Sequence, residues 1–148
     1  MSWTPYRGQF DHDWRRKKAS TAYTRGALVD VVDGYIEVCV ITRQSHSGII
    51  QKTITSASTD YAATTMLPMI VPRRPTSEFK VSVLSTDTLA ITDVGNLLDI
   101  GGSPVGIDVT NATSADDAVE CVAFINANLG VFRLNAFKAQ TPGIGTAT

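Results

Sequence analysis

The hydrophobic positions of this chain fall in short runs separated by Gly, Asp, Asn, Ser and Thr, a rhythm that predicts many strands and little helix. Residues 27–32 (Ala-Leu-Val-Asp-Val-Val) and 35–42 (Tyr-Ile-Glu-Val-Cys-Val-Ile-Thr) flank Asp33-Gly34, a strong local hairpin signal. Residues 49–55 are β-branched and predict a further strand. Residues 66–71 are apolar, but Pro68 lacks a ladder donor, which predicts a sheet edge or a bulge. Residues 79–84, 89–92, 103–109, 120–125 and 130–134 supply the later apolar pieces. One stretch is ambiguous: Ile91, Val94, Leu97 and Leu98 fall on one helical face, and Thr92-Asp93 can cap a short helix. Together these patterns predict an all-β fold, a small barrel or sandwich.

The two ends follow no such pattern. Residues 1–26, punctuated by Pro5, Gly8 and Gly26, predict an extended N-terminal arm with at most a helical turn around 13–17. Residues 27–136 form the β-rich body, and the Gly/Thr-rich residues 137–148 a tail with little to bury. Trp3, Tyr6, Phe10 and Trp14 stand on the arm at spacings of 3, 4 and 4. They have two outlets, a partner or the body of the same subunit.

Charge sharpens this division. Residues 1–26 hold six basic and two acidic side chains, net +4, and residues 27–148 hold seven and twelve, net −5. A basic arm on an acidic body suits contact with a neighbour of opposite sign. At 148 residues the chain is expected to be one domain with a real core. Cys39 and Cys121 lie inside apolar runs and read as buried, reduced thiols rather than a disulfide. No apolar run approaches the roughly 20 residues that span a bilayer as a helix, and the polar N-terminus does not read as a signal peptide. The expectation is a soluble protein made in the cytoplasm.

Candidate chemistry is sparse. Asp11-His12-Asp13 sets carboxylates beside an imidazole, but adjacent residues rarely converge on one ion, and His46 is the only other histidine. Nothing joins a nucleophile, a base and an orienting group. Asp116-Asp117 reads as a solvated turn, Asn111-Ala-Thr113 carries no weight as a sequon without secretion, and Gly101-Gly102 lacks a phosphate-loop context. The reading is therefore no enzyme, no cofactor and no metal. The basic cluster Trp14-Arg-Arg-Lys-Lys18 fits a partner protein first, solvent second and nucleic acid third.

Several phrases carry a resemblance. They are Thr24-Arg-Gly-Ala-Leu-Val29, Lys52-Thr-Ile-Thr-Ser56, Val71-Pro72, Asp93-Val-Gly-Asn-Leu-Leu-Asp99 and Val131-Phe-Arg-Leu-Asn135. In this order, over about residues 15–136, the chain resembles the capsid decoration (cement) proteins of tailed bacteriophages. The resemblance implies a homotrimeric virion protein, made in the host cytoplasm and added to the outer surface of the head. There it would stabilise contacts between major capsid proteins, with no cofactor and no membrane. On that reading Trp3, Tyr6, Phe10, Trp14, Arg15, Arg16, Lys17 and Lys18 meet the capsid. Met66, Leu67, Met69 and Ile70 are candidates for the contact between subunits, or else fill the subunit's own core. The alternatives are another virion subunit, in the tail or at a fibre base, or a nucleic-acid-binding protein using the basic arm.

Overall fold

Two strands that begin the chain decide its architecture. In the computed structural model, which describes residues 3–38, 48–74, 76–101, 106–109 and 119–134, β1 is Trp3–Arg7 and β2 is Phe10–Lys17. β6 (Met66–Pro72) pairs antiparallel with β2, and β7 (Glu78–Ser82) pairs antiparallel with β1. The result is one long two-stranded ribbon that leaves one sheet and enters another. Gly8 marks the crossing with φ +100°, and a Cβ there would stand 2.9 Å from the Ser77 Cα. The Ser77 hydroxyl donates to the Gln9 carbonyl at 2.7 Å, which fixes the two crossing loops together.

On one side of the crossing β2 and β6 close a five-stranded barrel with β3 (Leu28–Val32), β4 (Tyr35–Val38) and β5 (Gly48–Ile50), in the order β2-β4-β3-β5-β6. β3 and β4 form the hairpin foreseen at Asp33-Gly34. Both turn residues have positive φ, 51° and 87°, which the right-handed twist of a two-residue hairpin demands. On the other side lies a six-stranded sheet in the order β1-β7-β11-β10-β8-β9. Its remaining strands are β8 (Leu97–Gly101), β9 (Gly106–Asp108), β10 (Val119–Asn126) and β11 (Leu129–Leu134). The all-β expectation holds, and both the barrel and an open sheet are present.

The two units share a wall. Leu28 and Ile49 turn away from the barrel into the core under the sheet, with Trp3, Phe79, Val81 and Phe132. Their neighbours Val29 and Ile50 turn into the barrel core with Tyr23, Ile36, Leu67 and Met69. A strand buried on both faces reads as a continuous apolar run rather than an alternation, which explains Leu28-Val29 and Ile49-Ile50. Tyr23 plugs the barrel and donates its hydroxyl to the Ile36 carbonyl; burial pushes its pKa above the usual tyrosine value.

Five expectations need correction. Residues 3–17 are extended, but as paired strands of the body and not as a projecting arm, because β6 and β7 supply partners for their backbone groups. The helical turn around 13–17 is part of β2. Only Gly48–Ile50 of the expected 49–55 strand is regular, with one later bridge at Ile54. β6 lies between β2 and β5 and is no edge. Pro68 is tolerated because β5 pairs only with Met69 and Ile70, so the missing donor falls beyond its end, where the Pro68 carbonyl accepts from Gln51 at 2.9 Å. Finally, residues 89–92 form no strand; a single 3₁₀ turn, Ile91–Asp93, precedes β8. Cys39, His46, Asn111, Asp116, Asp117 and the tail 137–148 lie outside the described residues.

Cys121 is a free thiol fully buried in the sheet core, as expected. Desolvation, with a smaller effect from Asp93, pushes its pKa up to about 11. A thiol reagent at neutral pH should therefore label Cys121 slowly in the native protein and fast once it is unfolded. The sign for stability follows. The unfolded chain loses this proton first, so Cys121 favours the folded state below its ordinary value of 9.0, and that contribution is lost as pH rises toward about 11. Prompt labelling of native protein at neutral pH, followed by mass spectrometry, contradicts this burial.

Candidate interaction surface

The eight residues expected to meet a partner divide by the alternation of their strands. Trp3 is buried, its ring edge-on to Phe79 with centroids 6.0 Å apart. Phe10 packs half-buried against the same ring at 5.2 Å. Both belong to the core, so for them the subunit's own body is the correct outlet. Lys17 is fully buried as well. Its ammonium donates to the carbonyls of Lys18, Tyr61 and Ala63 at 2.9, 2.8 and 2.8 Å, pinning the 60–65 loop to the end of β2.

The other five reach solvent. Trp14 is 57% exposed and Tyr6 48%. Arg15 pairs with Asp13 at 2.8 Å, and Lys18 with Glu37 at 2.8 Å. Arg16 donates to the Thr64 carbonyl at 3.1 Å. Exposed pairs of this kind hold side chains loosely and are worth little stability, so their charges remain available.

Register shows what surrounds Trp14. His12, Trp14 and Arg16 stand directly opposite Ile70, Pro68 and Met66 across the β2–β6 ladder. Directly opposed residues of an antiparallel pair project to the same side. Trp14, Met66, Pro68 and Ile70 therefore make one apolar strip on the outside of the barrel, with His12 and Arg16 along it. Leu67 and Met69, which alternate with these, are buried in the barrel core. As candidates for a subunit contact, Leu67 and Met69 are thus corrected to core, because period-two alternation turns them inward. Met66 and Ile70 stay on the outer strip.

Tyr6 sits elsewhere. Pro5 is opposite Phe79 and Arg7 opposite Glu78, so Tyr6 is the extra residue of a bulge in β1. Bulges re-aim side chains, and this one sets the phenol ring 5.0 Å from the Arg7 guanidinium and 5.9 Å from the Lys80 ammonium. Beside it a row of charges crosses four strands. Arg7 meets Glu78 at 2.9 Å, Glu78 meets Arg133 at 3.3 Å, and Arg133 approaches Glu120 at 3.9 Å.

Charge is segregated on a larger scale than a division at residue 26 reveals. Residues 81–132 carry seven carboxylates and no lysine, arginine or histidine. Residues 1–80 carry eleven of the thirteen lysines and arginines against seven carboxylates. The barrel and the β1–β7 side of the sheet are therefore net basic, and the β8–β10 side is acidic. Counting by windows along the sequence would have shown this polarity.

Among the described residues no three His, Cys, Asp or Glu side chains converge as a metal site. The groove beside β1, lined by Trp3, Thr4, Pro5, Arg25, Gly26 and Gln51, contains a single charged side chain. Comparison of the chain with family models, curated proteins and solved structures finds no match. Among the described residues no helix is long and apolar enough to cross a membrane.

Proposed function

We propose that this chain is a capsid decoration protein, which binds the outer surface of a bacteriophage head and stabilises contacts between major capsid proteins. The observation that carries the reading is the strip on β2 and β6. An exposed tryptophan stands on a strand locked between two neighbours, bordered by Met66, Pro68 and Ile70 and by the Arg16 guanidinium. Tryptophan and arginine most often dominate interface energies, and a rigid mount spares the ordering cost of binding. The sequence resemblance over residues 15–136 supplies the kind of partner. A protein bound to the assembled shell and not to free subunits stabilises the shell by mass action.

The test is binding of purified protein to bare expanded phage shells. Trp14→Ala should leave the circular dichroism spectrum unchanged and weaken shell binding about thirtyfold, the effect of a hot-spot residue worth roughly 2 kcal/mol. Undiminished occupancy by the variant removes Trp14 from the contact. Wild-type protein that ignores shells but shifts single- or double-stranded DNA with a steep salt dependence favours the nucleic-acid reading instead. Co-purification with tails rather than heads favours the other virion role.

A further inference from the structure

We infer that two copies of this chain meet head to tail, the β1 edge of one sheet against the β8 corner of the next. The inference goes beyond shell binding, uses a different surface and does not depend on it.

The corner is the larger exposed apolar feature outside the β2–β6 strip. Ile91 is 68% exposed and Leu97 48%, with Val94 exposed between them. The 3₁₀ turn and the start of β8 hold these three side chains outside the sheet. The backbone is fixed by Gly95 donating to the Cys121 carbonyl at 2.8 Å and by the Cys121 amide donating to Asn96 at 3.0 Å. The apolar group carries negative charge with it. Asp93 lies within it, its carboxylate accepting the Ala90 amide at 2.8 Å, and Glu120 stands directly opposite Leu97. At Leu97 the chain is also beyond the reach of β9, which pairs only with Asp99, Ile100 and Gly101.

The opposite edge has the complementary character. There Tyr6 is raised by its bulge and held between Arg7 and Lys80. Among the described residues Lys80 has no carboxylate partner. β1 and β8 are four strand spacings apart in the sheet order, roughly 19 Å. One chain therefore presents an aromatic, cationic edge and an aliphatic, anionic corner on opposite sides of a single rigid sheet.

Charge selects the partner and the direction. A second copy placed corner to corner would set carboxylates against carboxylates, and edge to edge would set cations against cations. Like-charge juxtaposition costs several kcal/mol. Only edge to corner brings Tyr6 against Ile91, Val94 and Leu97 while Lys80 and Arg7 face Asp93 and Glu120. Such a contact is heterologous. The joined pair keeps one unsatisfied edge and one unsatisfied corner, so the contact propagates until a rotation closes it into a ring.

The experiment is sedimentation velocity on the full chain over a range of concentration at low and high salt. Wild-type protein should associate, and added salt should weaken it. Lys80→Glu spoils the edge and Val94→Lys spoils the corner; each should weaken association at least about tenfold while keeping a native circular dichroism spectrum. Mixed in equal amounts, the two variants should associate with each other again, because the intact corner of the first meets the intact edge of the second. The combined Lys80→Glu, Val94→Lys chain should associate again. Trp14→Ala should associate like wild type, which separates this contact from shell binding. A wild-type chain that stays monomeric throughout overturns the inference. So does a mixture of the two folded single variants that fails to pair.

Discussion

A chain lacking residues 1–18 does not fold. The truncation removes β2 from between β4 and β6, which opens the barrel, and removes β1 from β7, which bares a sheet edge. It also takes Trp3 and Phe10 out of the sheet core. Loss of one buried tryptophan typically costs 3–5 kcal/mol, and the whole stability of a domain is about 5–15 kcal/mol. Two strands and two core aromatics exceed that margin. The expected result is loss of the cooperative thermal transition in circular dichroism, with exposed apolar surface that binds a hydrophobic dye. A truncated protein with an intact, sigmoidal melt refutes the placement of these strands and restores the projecting arm.

Lys17→Met is the second change expected to weaken the fold strongly. The methionine fills most of the space but leaves the carbonyls of Lys18, Tyr61 and Ala63 without their shared donor. Hydrogen bonds to a charged group contribute about 1.5–3 kcal/mol each, and buried orphans add their own cost. Because loop carbonyls regain some water, the expected loss is about 3 kcal/mol, a fall in melting temperature of roughly 10 °C. Arg15→Met, two residues away on the same strand and exposed, should stay within about 0.5 kcal/mol. Equal melting temperatures for the two variants rule out the buried ammonium.

The contrast between those two variants shows how far the sequence could be read. In Arg15-Arg-Lys-Lys18 nothing local distinguishes the buried cation from its neighbours; two carbonyls from a loop more than forty residues away do so. β2 was equally hidden. Its residues are mostly polar on both sides, and its pairing is decided by β6. The Asp33-Gly34 hairpin was legible because turn and strands are contiguous. So were β7, β10 and β11, whose apolar runs fill one core. The division of 66–70 into Leu67 and Met69 inside, Met66 and Ile70 outside, follows from alternation alone once residues 66–72 are taken as one strand. The Tyr6 bulge left no trace in the sequence, since it exists only in the register against β7.

The ribbon that crosses from barrel to sheet also sets a timetable. Trp3 pairs with Val81 and Phe10 with Pro72, so β1 and the start of β2 wait for strands roughly sixty to eighty residues further along the chain, while only the end of β2 meets β4 early. At about 5–20 residues per second that wait lasts several seconds. Meanwhile Trp3, Phe10 and Trp14 trail as an unpaired aromatic thread. Topologies dominated by such distant pairings fold slowly. High-level production at elevated temperature therefore favours aggregation of nascent chains, whereas slower synthesis in the cold gives each thread time to find its own body.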